Sequence, residues 1–351
     1  MSEQHDNPMK RSGEPANPDR RKLLGTLLTG GAVVAAGTAF LSREDKILAE
    51  QLTKEANPEG VKDVEVDALS GASRTHTNWA KFADLKKPMS KATIKGLDFS
   101  RVIMGGNLIG GWAHARDLLY ASDLVKAYHT RDKIIATFKM GEACGINVYL
   151  GHHSHIGIMT DYWEKADGAM RYIADCSSLD DALRCLDAGA SAAYIQGGVN
   201  DGLVREGKFD IIAAFVDRLR NEKAIVGLGG HLIETIKGCV EKGIEPDFWM
   251  KTIHHGNYRS RPADRDDFFS AYDRNPEETI AFMNTLKQPW IGFKVLAAGA
   301  IHPKNGFRYA FESGADFLCV GMYDFQVVDD VNICMDILES DIQRQRPWCF
   351  T

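Results

Sequence analysis

No Cys-x-x-Cys pair occurs among the seven cysteines, so the chain offers no ligand spacing for an iron–sulfur cluster or a zinc ribbon. The number is odd, and most of these residues stand inside apolar runs, which reads as buried free thiols rather than a disulfide framework. Positive charge is also scarce: 42 Lys and Arg against 48 Asp and Glu leave a formal net charge of −6. With no basic cluster beyond the N-terminus, nucleic acid is excluded as a partner. No Gly-x-Gly-x-x-Gly follows the first strand-like run, which counts against the alternative of a doubly wound dinucleotide-binding sheet. What is plentiful is glycine, 33 residues without a collagen-like period, together with 44% apolar residues. That composition fills a core and suits many short strand–loop–helix junctions.

Residues 1–18 are polar and rich in Pro, Gly and charge, too poor in apolar surface to offset the entropy of ordering. Arg20-Arg21-Lys22 then precede an uncharged run over 23–41 that ends at Arg43-Glu44-Asp45. A cationic pair before a mildly apolar span has the pattern of a twin-arginine export signal, and the span is long enough to remain as an anchor. The expected organisation is a signal or anchor over 1–42, a linker over 43–88 and one domain over 89–351. Partners follow from this: the twin-arginine export machinery, a small-molecule substrate, and a membrane touched only through the N-terminal segment. The expected location is the periplasm or the outer face of the cytoplasmic membrane.

From residue 98 onward, β-branched and apolar runs alternate with helical patterns, and many runs close on Gly, His, Asn or Asp. The runs cover 102–106, 146–150, 170–175, 192–196, 224–228, 247–252, 290–297 and 316–322. Eight βα units predict a (β/α)8 TIM barrel. Asp187-Ala188-Gly189 and Glu241-Lys242-Gly243 read as helix stops, and Asn275-Pro276 as a helix start.

The stretch from Met89 to Gly106 reads as a hairpin closing the barrel floor before the first strand, and Gly141-Glu-Ala-Cys-Gly-Ile-Asn-Val-Tyr149 as a helix followed by the second. These two segments resemble the start of an aldo/keto reductase, with a weaker likeness over 290–321. The resemblance implies a barrel and, in that family, an Asp after the second strand, a Tyr soon after it, a Lys on the third and a His on the fourth. This chain carries Leu150 at the Asp position, Gly151-His152-His153-Ser154-His155 without a Tyr, Asp175 on strand three and Gln196 ending strand four. Asp324, Asp329 and Asp330 follow strand eight, where the family holds the NADP phosphate with cations, so NADP is not expected.

The ends of the strands, where barrel enzymes place their chemistry, hold seven of the 11 histidines: His152, His153, His155, His231, His254, His255 and His302. Imidazoles from several strands predict a divalent-metal site (Zn, Mn, Co or Fe), with His153, His155, His231 and His255 as ligands. The choice within each adjacent His pair stays open, because successive extended residues point oppositely. Lys251, inside the sixth strand, occupies a Schiff-base position of class I aldolases; Lys294 on the seventh is a second candidate, and Asp175 is a proton carrier or a partner for either lysine. Asn107, Trp112, His114, Gln196 and Arg259 are the expected substrate contacts. Gly105-Gly106, Gln196–Asn200, Gly227–Gly230 and 297–300 offer backbone N–H groups at the rim. The leading expectation is an exported, metal-dependent lyase, isomerase or hydrolase for a small sugar-like or keto substrate. The alternatives are an NADP-dependent reductase, a Schiff-base enzyme and a non-catalytic binding barrel.

Overall fold

The structure is a computed structural model that describes residues 79–112, 118, 120–258 and 273–349. The expected export signal and most of the expected linker lie outside the described residues.

The described chain opens on a hairpin of β1 (Lys91–Ile94) and β2 (Leu97–Ser100), antiparallel and turned at Lys95 and Gly96. Both turn residues have positive φ, 50° and 82°, the geometry that matches the right-handed twist of paired strands. Eight parallel strands follow and close in the order β10-β3-β4-β5-β6-β7-β8-β9. They are β3 (Val102–Gly105), β4 (Val148–His152), β5 (Arg171–Cys176), β6 (Ala192–Ile195), β7 (Ile225–Gly230), β8 (Phe248–Thr252), β9 (Trp290–Phe293) and β10 (Phe317–Val320). Closure is made by β10 against β3, where Leu318 pairs with Val102. All eight strands fall within a few residues of the predicted runs, and the protein is a (β/α)8 barrel.

The helices are α1 (Ala121–Tyr128), α2 (Arg131–Ala143), α3 (Ile156–Lys165), α4 (Leu179–Asp187), α5 (Gly197–Arg205), α6 (Phe209–Asn221), α7 (Ile233–Glu241), α8 (Pro276–Met283), α9 (Pro303–Glu312) and α10 (Val327–Leu338). Their starts have chemical causes. Thr130, Ser178 and Asn275 accept backbone N–H groups three residues on, and Pro276 and Pro303 fit first-turn positions that need no donor. Helix α5 departs from the sequence reading, which took Gln196–Asn200 for a flexible rim. Gln196 caps it by accepting the Val199 N–H at 3.0 Å.

Two apolar layers result. Ile103, Val148, Leu150, Ile173, Ala192, Tyr194, Phe248, Met250, Ile291 and Phe317 fill the barrel, with Ala92, Ile94 and Phe99 of the hairpin stopping its floor. Alternate residues, such as Tyr149, Tyr172, Trp249 and Trp290, pack against the helices. The floor is latched by the chain's end: Asp316, fully buried before β10, lies 2.5 Å from Arg346 and 3.2 Å from Arg344. Residues at the end of the expected linker pack on the barrel, where Ala80 donates to Asp329 and Lys86 to Asn332 of α10. No helix among the described residues is long and apolar enough to cross a membrane.

Candidate active site

Strand parity decides which side chains reach the barrel mouth. On β4, Val148 and Leu150 face inward, so His152 does; on β5, Ile173 faces inward, so Asp175 does. Below them the lining is fully buried, whereas His152, Asp175, Gln196, His231, Phe293, Lys294 and Cys319 are only half-buried. That change marks an opening at the C-terminal ends of the strands, the face on which barrel enzymes assemble their sites.

Asp175 is paired in register with His152 on one side and Tyr194 on the other. Burial raises its carboxyl to about 7, and the neighbouring Tyr194 hydroxyl pulls it only partly back. Its Oδ1 is buried and has no hydrogen-bond partner among the described residues. An acid that exchanges its proton near neutrality and keeps a free oxygen is suited to gripping a substrate hydroxyl.

The second group was not visible in the sequence. Asp201, on α5 and 5% exposed, accepts from His231 Nδ1 at 2.9 Å, from the backbone N–H of His231 at 3.2 Å and from Thr235 Oγ1 at 2.5 Å. The carboxylate thereby holds the proton on Nδ1 and leaves Nε2 as the acceptor, without a hydrogen-bond partner among the described residues. Burial lowers the imidazole's pKa, Asp201 opposes that shift and Lys294 adds to it. The ring edge meets Phe293 at 5.3 Å, and its other side lies on the first turn of α5. There a Cβ on Gly197 would come within 2.9 Å of the imidazole Cε1, so the glycine is what admits the ring.

Lys251 and Lys294 have opposite fates. Lys251 shares the outward face of β8 with Trp249; it is fully buried and donates to the backbone carbonyls of His231 at 2.8 Å and Thr252 at 2.9 Å, with Asp273 at 3.9 Å. This corrects its expected role as a Schiff-base nucleophile: it props the His231 backbone from behind. Lys294, just after β9, has no ion-pair partner among the described residues. Burial brings it down to about 8, with Asp201 raising it and Lys251 lowering it further.

The expected metal set is also corrected. A 3-10 turn over His153–His155 swings His153 outward, where Nδ1 meets Arg184 at 2.8 Å and Asp181 at 3.2 Å. His155 turns the other way, with Nδ1 at 2.7 Å from the Tyr149 hydroxyl; burial lowers it to about 4, so it is neutral at physiological pH. His231 keeps Nε2 open but joins no group of three or more such ligands among the described residues, and His255 packs edge-on against Tyr309 at 5.3 Å. Among the described residues no group of three or more His, Cys, Asp or Glu is arranged to hold a metal ion. His302 caps α9, with Nδ1 accepting from Lys304 at 3.2 Å.

Of the expected substrate contacts, Trp112 sits on the rim, 41% exposed, stacked on His155 at 5.8 Å and edge-on to His152 at 4.7 Å. Asn107 is exposed beside it, Gln196 is spent on its cap, and His114 and Arg259 lie outside the described residues. Gly227–Gly230 form β7 itself rather than a phosphate-cradling loop. Asp324 is engaged by Lys133 and Tyr128, Asp329 by the Ala80 N–H, and Asp330 is buried in α10. Each of these three acids is thus engaged or buried within the protein.

Neither a protein-family model nor a curated relative matches the sequence. Two solved structures of proteins assigned as aldo-keto reductases from Pseudomonas aeruginosa are similar, at 14% and 13% identity. Each has a TM-score of 0.50 and covers 73% of this chain and 99% of its own. A dihydropteroate synthase from Vibrio fischeri matches at 12% identity and a TM-score of 0.40, over 74% of this chain and 99% of its own. At these identities the likeness is one of fold.

Proposed function

We propose that this barrel is an enzyme that moves a proton at a carbon next to a carbonyl in a small keto or sugar-like substrate, with an isomerase or lyase outcome. The observation that carries the reading is the Asp201–His231 pair at 2.9 Å, which leaves imidazole Nε2 open at the barrel mouth. Nε2 takes the proton, and the positive charge that forms on the ring is stabilised by the carboxylate behind it. Lys294 answers the negative charge that develops on the carbonyl oxygen. Asp175 on β5, opposite β9 in the closed barrel, holds a substrate hydroxyl. Returning the proton to the adjacent carbon gives an isomer; expelling a group from it gives a lyase product.

Export supports a site of action outside the cytoplasm in this reading, through Arg20-Arg21 and the uncharged run after them. The test is solvent deuterium uptake into dihydroxyacetone, pyruvate and a panel of ketoses, followed by NMR. Uptake by the wild type that falls at least a hundredfold in His231→Gln is expected. Equal uptake by both proteins contradicts the reading.

A further inference from the structure

We propose that Lys294 forms a covalent imine with the carbonyl carbon of its substrate, so that the ligand class of this mouth is an aldehyde or ketone rather than an ester or amide. The inference rests on the proton-transfer reading above and deepens it. Three observations point the same way. Lys294, at the end of β9, forms no ion pair among the described residues and feels the Asp201 carboxylate only from beyond ion-pair distance, whereas Lys251 is tied to two carbonyls and faces Asp273. The Lys294 backbone is held at φ 59°, and Ala297 and Ala298, three and four residues on, stand at 45° and 56°, left-handed conformations that cost energy in non-glycine residues and recur where a fold must aim a functional group. His231, whose Nε2 is open, packs its ring 5.3 Å from that of Phe293, the residue before Lys294. Burial and the second cation, Lys251, keep a fraction of the amine neutral at physiological pH.

The step balances without an outside oxidant or reductant. Neutral Nζ attacks the carbonyl carbon, forming the C–N bond as the carbonyl oxygen gains a proton. A further proton, supplied by solvent, lets that oxygen leave as water while the nitrogen lone pair closes the C=N bond of an iminium ion. His231 Nε2 next takes the proton from the neighbouring carbon; the C–H electron pair forms a C=C bond to the iminium carbon as the C=N π pair returns to nitrogen, giving an enamine. Reprotonation and attack by water release product and restore the lysine.

The test incubates the full chain with pyruvate or glycolaldehyde and cyanoborohydride near pH 7.5, and maps adducts by peptide mass spectrometry. The expected result is an adduct at Lys294 at least tenfold above any surface lysine, lost in Lys294→Arg while the circular dichroism spectrum is retained. No adduct at Lys294, or one no greater than at surface lysines, overturns the imine. Deuterium uptake read in parallel separates the two ideas. Uptake that persists in Lys294→Arg sinks the covalent step and leaves His231 as the base; a Lys294 adduct without uptake in any protein keeps the imine and removes the proton transfer.

Discussion

At the residue scale, the proposed chemistry turns on which atom of His231 carries its proton. Asp201→Asn replaces an acceptor with a group able to donate, so the ring no longer has one preferred tautomer. Turnover is expected to fall by about 10²–10⁴ with folding intact, as read from initial rates beside a thermal melt. Asp175 makes a prediction of the opposite kind, on stability. Its carboxyl sits near 7 in the folded protein against an ordinary 3.8, so between these values the folded state binds more protons than the unfolded one. Its stabilising effect is complete below the lower value and is lost as the pH rises through the upper one. Melting curves from pH 4.5 to 8.5 should show the wild type losing, relative to Asp175→Asn, on the order of a few kcal/mol. Parallel curves for the two proteins would mean that Asp175 is ionised throughout.

At the scale of elements, strands were the legible part. A barrel strand is buried on both faces, so it reads as a short unbroken apolar run, and all eight were found this way. The same double burial hid the direction of side chains: on β8, Phe248 and Met250 look as apolar as Trp249, and nothing in the sequence says that Lys251 takes the outer face. Helix α5 escaped because Gly197, Gly198 and Gly202 are poor helix formers; Gln196 as a cap was the available signal. With the helix went Asp201, which meets His231 across thirty residues and leaves no local spacing to read. The glycine there has a purpose that can be checked. Gly197→Ala should cost about 1–3 kcal/mol and displace the imidazole, seen as a lower melting temperature together with lost deuterium uptake.

At the scale of the whole molecule, the barrel places its buried ties at one end and the site of the proposed chemistry at the other. The floor is plugged by Phe99 and its neighbours and tied by Asp316 to Arg344 and Arg346, while the mouth keeps its polar groups half-buried. Burial raises the Asp316 carboxyl's pKa and the two guanidiniums pull it back, so removing one of them leaves a poorly compensated buried charge. Arg346→Ala is expected to cost about 3–5 kcal/mol in urea unfolding, with the midpoint reduced and any activity per folded molecule unchanged. A loss of activity without a loss of stability would place the floor latch in the chemistry, against this division.

The most direct test of the central claim is the nitrogen-15 NMR spectrum of the His231 imidazole in the folded protein near pH 7.5, assigned by comparison with His231→Gln. A proton on Nδ1 and a bare Nε2, with that preference lost in Asp201→Asn, is the predicted result. A proton on Nε2 in the wild type would leave the mouth without its base and contradict the account.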